Sequence, residues 1–133
     1  MATRASQSES PEISLIEAKH LFDSNKRVAF VDVRTRFAYD EAHIRSAESL
    51  PLDYIDYQWD AFSPDQELIL YGDSPDDASA AQAAAFLRSK GFTRVRILRD
   101  GFEGWQEAGY PIGQEQLPEE ALEIHSQFSE PPH

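Results

Sequence analysis

The chain has 133 residues, of which 41% are hydrophobic and 27% are charged. This length and composition are typical of one globular domain rather than of a disordered or membrane-embedded chain. Asp and Glu number 24 against 12 Lys and Arg, a formal net charge of -12, and such a charge repels phosphate backbones and disfavours nucleic-acid binding.

The chain contains no cysteine. Disulfides, thiolate metal sites and a thiol nucleophile are therefore excluded within it. No apolar run reaches the length that spans a bilayer, and the first residues lack the apolar stretch of a secretory signal, so we expect no membrane association and a cytoplasmic location.

The N-terminal half predicts alternating helices and strands. Residues 1–12 are polar and rich in serine, and we expect a flexible leader. Ser14 and Glu17 have the spacing of a capping box ahead of an apolar stripe typical of a helix. Three further elements are predicted here: a buried strand over residues 28–31 that ends at Asp32, a short helix over 37–42 and a strand over 47–50.

Residues 52–62 are aromatic and acidic, and they predict a short helix followed by a loop. We expect the aromatic side chains to pack in the core, although a partner-binding patch is the alternative. These side chains are Tyr54, Tyr57, Trp59 and Phe62.

The C-terminal half begins with a continuous apolar run over residues 68–71, the pattern of a central parallel strand buried on both faces. After a loop, residues 78–90 predict a helix that ends at Gly91 and lies against the sheet through small side chains. Those side chains are Ala81, Ala84 and Ala85. A strand over residues 95–98 and a helix over 102–108 follow.

Strands that alternate with helices indicate βαβ units and a parallel sheet. The sequence divides into a leader over 1–12, one domain over 13–112 and an acidic extension over 113–133. Pro118 opens a predicted helix in this extension.

Residues 31–34 and 39–50 resemble the rhodanese-like family. The family pattern is a strand ending in Asp-x-Arg, followed by an aromatic residue, three others, and His-Ile-Pro-Gly-Ala. The chain keeps the family residues at Asp32, Arg34 and His43, but Arg45 and Ser46 replace Pro-Gly.

A second block resembles the family from Leu70 to Ile112. It includes Gly101, Trp105 and the Ala-Gly-Tyr-Pro run that ends at Pro111. Asp100 here replaces the first glycine of a Gly-Gly pair. The resemblance implies a rhodanese-like α/β fold, a twisted parallel five-stranded sheet with helices on both faces.

The resemblance also implies where an active site would lie. In active relatives a cysteine follows the aromatic residue of the central strand, and backbone N–H groups of the next loop stabilise its thiolate, its persulfide and the anionic substrate. Gly72 occupies the position of that cysteine. The family's loop commonly has an arginine near its end, whereas this degenerate loop has only acidic charges. Its residues are Gly72, Asp73, Ser74, Pro75, Asp76 and Asp77.

The three aspartates of this loop have two interpretations. They could bind a hard cation, but the cluster lacks the glycine and terminal glutamate of a calcium loop. Helix capping by Asp76 or Asp77 is favoured instead. We therefore expect no metal and no cofactor.

The remaining family residues are interpreted as structural. His43 has no serine or cysteine motif beside it, and Asp32 and Arg34 are expected to form an ion pair at the end of their strand. The predicted structural set is Asp32, Arg34, His43, Gly101 and Trp105, and no catalytic residue is assigned.

Three functional hypotheses remain open. The first is a non-catalytic rhodanese-like module that binds a protein partner or regulates one. The alternatives are an enzyme of sulfurtransferase or hydrolase type that uses Asp73 or His43, and a component of an oligomeric scaffold. No Lys or Arg follows Arg99, so the acidic C-terminal part either keeps the chain solvated or binds a basic partner. A monomer or a weak homo-oligomer is expected.

Overall fold

The computed structural model describes residues 11–24 and 27–114. Seven strands are present in these residues: β1 (Glu12–Ile13), β2 (Ala29–Asp32), β3 (His43–Ile44), β4 (Glu48–Ser49), β5 (Leu68–Tyr71), β6 (Val95–Leu98) and β7 (Ile112–Gly113). The α-helices are α1 (Leu15–Ser24), α2 (Arg36–Glu41), α3 (Ile55–Gln58), α4 (Ser79–Ser89) and α5 (Gly101–Glu107), and 3-10 turns flank α3 on both sides. None of these helices is long and apolar enough to cross a membrane.

Five strands form one parallel sheet in the order β1-β6-β5-β2-β4. The predicted five-stranded parallel sheet is therefore confirmed, and β5 is its central strand, with all four residues buried. A separate antiparallel pair, β3 with β7, joins His43 to Gly113 and fixes the end of the domain.

Two apolar layers cover the faces of the sheet because side chains of a strand alternate between them. Leu68 and Leu70 of β5 pack with α3 and α4, whereas Ile69 and Tyr71 pack with α1 and α5. Helices thus lie on both faces, as the rhodanese-like prediction requires.

Several local predictions need correction. Glu12 was placed in the leader, but it pairs with Ile97 in strand β1. Gly113 was placed in the acidic extension, but it lies in strand β7. The rest of that extension, including the helix predicted from Pro118, lies outside the described residues apart from Gln114.

The buried face of α4 was also predicted in the wrong phase. Only Ala84 of the three predicted alanines is buried, since Ala81 and Ala85 are exposed. The stripe that contacts the sheet has the i, i+3, i+4, i+7 spacing of one helical face. Its members are Ala80, Ala83, Ala84 and Leu87.

Trp105 is the largest fully buried side chain. Its ring packs in edge or tilted contacts against Phe22, Phe30 and Tyr110, at centroid distances of 5.3, 5.6 and 5.1 Å. The indole N–H donates to the carbonyl of Pro111 at 2.8 Å. This residue therefore joins α1, β2 and the segment before β7.

We predict that Trp105→Ala lowers the free energy of unfolding by about 3–5 kcal/mol, because a cavity replaces a buried indole. Urea unfolding followed by circular dichroism measures the loss. Trp59→Ala is the control, since Trp59 is only half-buried, and it should cost less. Alanine at Asp73, Asp76 or Asp77 should also cost less than Trp105→Ala, and a Trp105→Ala variant that unfolds like the wild type would contradict the packing described.

Candidate functional site

The candidate site lies where β2 and β5 end beside each other. The chain leaves β2 towards β4 on one side of the sheet and leaves β5 towards β6 on the other. Ligands of open α/β sheets bind at such a reversal of strand order, at the carboxyl ends of the strands. Arg34 follows β2 here, and the loop of residues 72–78 follows β5. We refer to residues 72–78 as the loop.

Gly72 opens the loop and is buried. A Cβ atom at this position would lie 2.6 Å from Oδ2 and 3.0 Å from Cγ of Asp77. Real Cβ atoms do not approach neighbours so closely, so a side chain at residue 72 requires the carboxylate to move. The space where the family's cysteine side chain would begin is occupied by a carboxylate.

The carboxylate of Asp77 is held by backbone N–H groups. Asp73 N–H donates to Oδ2 and Ser79 N–H donates to Oδ1, each at 2.9 Å. Burial opposes ionisation of Asp77, but these hydrogen bonds and the charge of Arg34 outweigh it and hold the pKa of Asp77 below its usual range. The carboxylate therefore fills the loop as an anion and bridges it to the start of α4.

Neither Asp76 nor Asp77 is the N-cap of α4, contrary to the prediction, because Ala78 holds that position and makes no side-chain capping hydrogen bond. Asp77 instead contacts the first residue of the helix by accepting from Ser79 N–H. Asp76 is exposed and makes no hydrogen bond or ion pair with any described residue. No group of three or more metal-ligating side chains occurs in the described residues.

The outer side of the loop rests on α5. Phe102 N–H donates to the carbonyl of Gly72 at 2.9 Å, and Glu103 N–H donates to that of Asp73 at 2.8 Å. Gly101 has a φ of 71°, and a Cβ there would lie 2.8 Å from the backbone of Asp73 and Ser74. Only glycine fits both the conformation and the contact.

Arg34 lies beside the loop with 7% of its side chain exposed. Its Nη2 lies 2.7 Å from Oδ2 of Asp32, so the predicted ion pair is present. Nη2 also donates to the carbonyl of Ala42, and the guanidinium lies 4.4 Å from the ring centroid of Phe102. Burial disfavours the charge of Arg34, but Asp32 raises its pKa above the ordinary value.

Arg34 reaches the loop through one longer contact. Its Nη1 lies 3.5 Å from Oδ1 of Asp73, whose side chain is 67% exposed. Because Asp32 already matches its charge, Arg34 acts here as an architectural cation.

Tyr71 stands at the end of β5, in register with Asp32. Its hydroxyl accepts a hydrogen bond from Ile44 N–H at 3.0 Å. Burial raises the pKa of Tyr71, and the neighbouring Asp32 carboxylate raises it further. The phenol therefore stays neutral and ties β5 to β3.

His43 lies in β3. Its ring stacks on Tyr39 at a centroid distance of 3.8 Å, and Nδ1 lies 2.7 Å from the carbonyl of Tyr39. No hydrogen bond or ion pair within the described residues joins His43 to Asp73 or Asp77. Ser46, which replaces the family's glycine, adopts a positive φ of 70°.

A cleft of about 340 Å³ opens beside the loop. Apolar parts of its lining come from Val33, Ala38, Pro51 and Leu52, and charged parts from Arg34, Asp53, Asp73 and Asp77. We refer to it as the cleft. Asp53 is exposed and has no ion-pair partner within residues 11–24 and 27–114.

Two features were missed by the sequence analysis. Tyr54 and Tyr57 were expected in the core, but they are 55% and 80% exposed. The support that Gly101 gives to the loop was also missed, although the glycine itself was singled out. The signal in the sequence was a glycine between the strand β6 and the next helix, which is typical of a site where another backbone segment approaches closely.

We predict that Gly101→Ala destabilises the fold more than Gly109→Ala does. Gly109 also has a positive φ, 78°, but nothing lies within 4 Å of its Cβ position. Both variants carry the cost of a left-handed alanine, about 1–2 kcal/mol. The close contact with the loop should add about 1–3 kcal/mol at Gly101 alone. Chemical unfolding measures the difference, and equal losses in the two variants would contradict the described contact.

Comparison with known proteins places this geometry in a family. The sequence model of the rhodanese-like domain matches residues 14–108. A thiosulfate sulfurtransferase, GlpE, of Actinobacillus pleuropneumoniae is 31% identical over 108 residues, which cover 76% of this chain and 91% of the relative.

Solved structures agree with this assignment. The rhodanese-like domain of the Anabaena protein Alr3790 superimposes with a TM-score of 0.71 and 26% identity, over 79% of this chain and 80% of that one. The BH2092 protein of Bacillus halodurans gives a TM-score of 0.72 and 26% identity, over 86% and 90% of the two chains. The chain belongs to the rhodanese-like domain family.

Proposed function

We propose that this domain is a non-catalytic rhodanese-like module that binds a protein partner through the face formed by the loop and the cleft. The observation that carries the proposal is the carboxylate of Asp77 at the Gly72 position. It lies 2.6 Å from where a side chain at residue 72 would begin. It also uses the N–H groups of Asp73 and Ser79 that would otherwise be free to hold an anion.

The chemistry of sulfur transfer supports the same proposal. A persulfide needs a thiol to carry the sulfur, and the 133 residues contain no cysteine. Asp73 and Asp77 add negative charge where an anionic donor would approach, and Asp32 already neutralises Arg34. The repulsion of an anionic sulfur donor and the absence of a thiol both oppose sulfur transfer.

An enzyme of sulfurtransferase type is the second candidate, because the relative at 31% identity is named as a thiosulfate sulfurtransferase. It would require Asp73 or His43 to act. The side chain of Asp73 is largely exposed and its one ion-pair contact in the described part of the chain is with Arg34, while Nδ1 of His43 is engaged by the carbonyl of Tyr39. Nucleophiles are activated by a neighbouring base or a metal, and no hydrogen bond or metal-ligating cluster in the described residues joins Asp73 to His43 or to a metal.

Binding is favoured over a purely architectural role by the exposed aromatic side chains. Four large apolar side chains are exposed among the described residues, namely Ile16, Phe37, Tyr54 and Tyr57. Three of these belong to the two segments that border the cleft. Exposed aromatic residues are enriched at protein interfaces.

We expect no transfer of sulfur from thiosulfate to cyanide above background by the purified chain, because no residue can form a persulfide. Thiocyanate formation measured colorimetrically tests this, with an active thiosulfate sulfurtransferase as the positive control. Turnover that persists after repurification and chelator treatment would refute the non-catalytic proposal.

We further expect that Gly72→Cys alone creates an unstable protein with a poorly ionised thiol. The new side chain meets Asp77, whose charge raises the thiol pKa. Adding Asp77→Ala removes the close contact but also the two hydrogen bonds of the carboxylate, so it should recover only part of the stability. It should lower the thiol pKa by about one unit, since the N–H groups of Asp73 and Ser79 become available to the thiolate.

Gly72→Cys combined with Asp76→Ala is the matched control, because Asp76 is exposed and contacts none of these groups. The rate of alkylation by iodoacetamide against pH reports the pKa of the single thiol, and urea unfolding reports stability. Rapid thiosulfate turnover by Gly72→Cys alone would mean that Asp77 does not control the site.

A further inference from the structure

We propose that the cleft receives an arginine side chain from a basic segment of the partner protein. This inference rests on the proposed function and specifies the chemistry of the partner at the same face.

The shape of the cleft suits a single long side chain. Its volume of about 340 Å³ lies at the lower end of the range for ligand pockets. Val33, Ala38, Pro51 and Leu52 supply apolar surface, against which the methylene groups of a long side chain can pack.

The charges around the cleft favour a cation. Asp53 and Asp73 are exposed, and Asp53 has no ion-pair partner in the described part of the chain. The positive charge of Arg34 is matched by Asp32 at 2.7 Å and covered by the ring of Phe102. Asp77 retains its own negative charge, since its pKa is lowered. The uncompensated charge that an approaching group meets is therefore negative.

Exposed aromatic residues that adjoin lining residues in the sequence favour arginine over lysine. Phe37, 72% exposed, precedes the lining residue Ala38, and Tyr54 follows the lining residue Asp53. A guanidinium stacks on aromatic rings and binds carboxylates through two parallel hydrogen bonds, whereas an ammonium ion is a compact and strongly hydrated charge. Exposed rings and exposed carboxylates in the same two segments match the guanidinium.

The test uses the full chain and three capped peptides. The first contains arginines in a glycine–serine background, the second has lysine at those positions and the third has glutamine. Fluorescence anisotropy gives the affinities, and titration of the 15N-labelled chain locates the site. We expect the arginine peptide to bind and to shift the amide signals of Arg34, Leu52 and Asp53, the lysine peptide to bind more weakly and the glutamine peptide not to bind.

Two variants with equal charge separate the cleft from the net charge of the chain. Asp53→Asn with Asp73→Asn should weaken binding of the arginine peptide about tenfold. The matched control, Asp60→Asn with Glu107→Gln, removes two exposed carboxylates outside the lining and should leave the affinity unchanged. Unfolding curves establish that both variants fold.

The aromatic contribution has its own variant. Phe37→Ser with Tyr54→Ser should reduce the preference for arginine over lysine while it keeps the charge of the cleft. Because both side chains are exposed, folding should be retained.

Three results would overturn the inference: no binding of the arginine peptide, equal weakening in the cleft variant and the matched control, or equal affinity for the arginine and lysine peptides. Thiosulfate turnover is measured on the same samples. Turnover would refute the non-catalytic proposal whatever the peptides do, whereas absent turnover with absent peptide binding would overturn only the assignment of an arginine-bearing partner.

Discussion

The structure of the site depends on the two hydrogen bonds that the carboxylate of Asp77 accepts from Asp73 and Ser79. Backbone N–H groups that converge at the end of a central strand attract an anion. Here the anion is part of the same chain, so its effective concentration is high and no binding entropy is lost. An external anion would have to displace Asp77 and leave a partly buried carboxylate without its donors.

Both sides of the loop are fixed by the same constraint, the close approach of other atoms to its backbone. On the inner side, Asp77 lies where a side chain at Gly72 would begin. On the outer side, Gly101 lets the loop approach α5, whose N–H groups at Phe102 and Glu103 bond to the loop carbonyls. The polar backbone groups of the loop thus find partners on both sides, as buried backbone requires. A glycine is needed on each side for this reason.

The sequence predicted the elements that have a local residue pattern. Its predictions failed where contacts with residues distant in the chain determine the structure. Residues 68–71 could be assigned because a continuous apolar run identifies a buried parallel strand. The strands β1, β3 and β7 have two residues each, too few to form a pattern, and pairing with distant strands defines them. An aspartate N-cap was predicted, but the N-cap of α4 is Ala78, and Asp77 is held instead by N–H groups on both sides of it. The exposure of Tyr54 and Tyr57 was not predictable from their aromatic character, because Ile55 of the same segment takes the buried position.

Arg34 shows how a family scaffold is retained while the electrostatics of its site change. The guanidinium is used by Asp32, the carbonyl of Ala42 and the ring of Phe102, so it joins β2, the start of β3 and α5. A buried cation without a carboxylate partner would be costly. Asp32 supplies that partner and accepts from Nε and Nη2 of Arg34 through its two carboxylate oxygens. What remains of the guanidinium's attraction acts on the loop's own carboxylates, Asp73 and Asp77. Negative charge at the surface of the cleft comes from Asp53 and Asp73, which contribute nothing to the core. The architectural ion pair and the exposed carboxylates are therefore separable, and substitution at the surface can alter what binds without disturbing the fold.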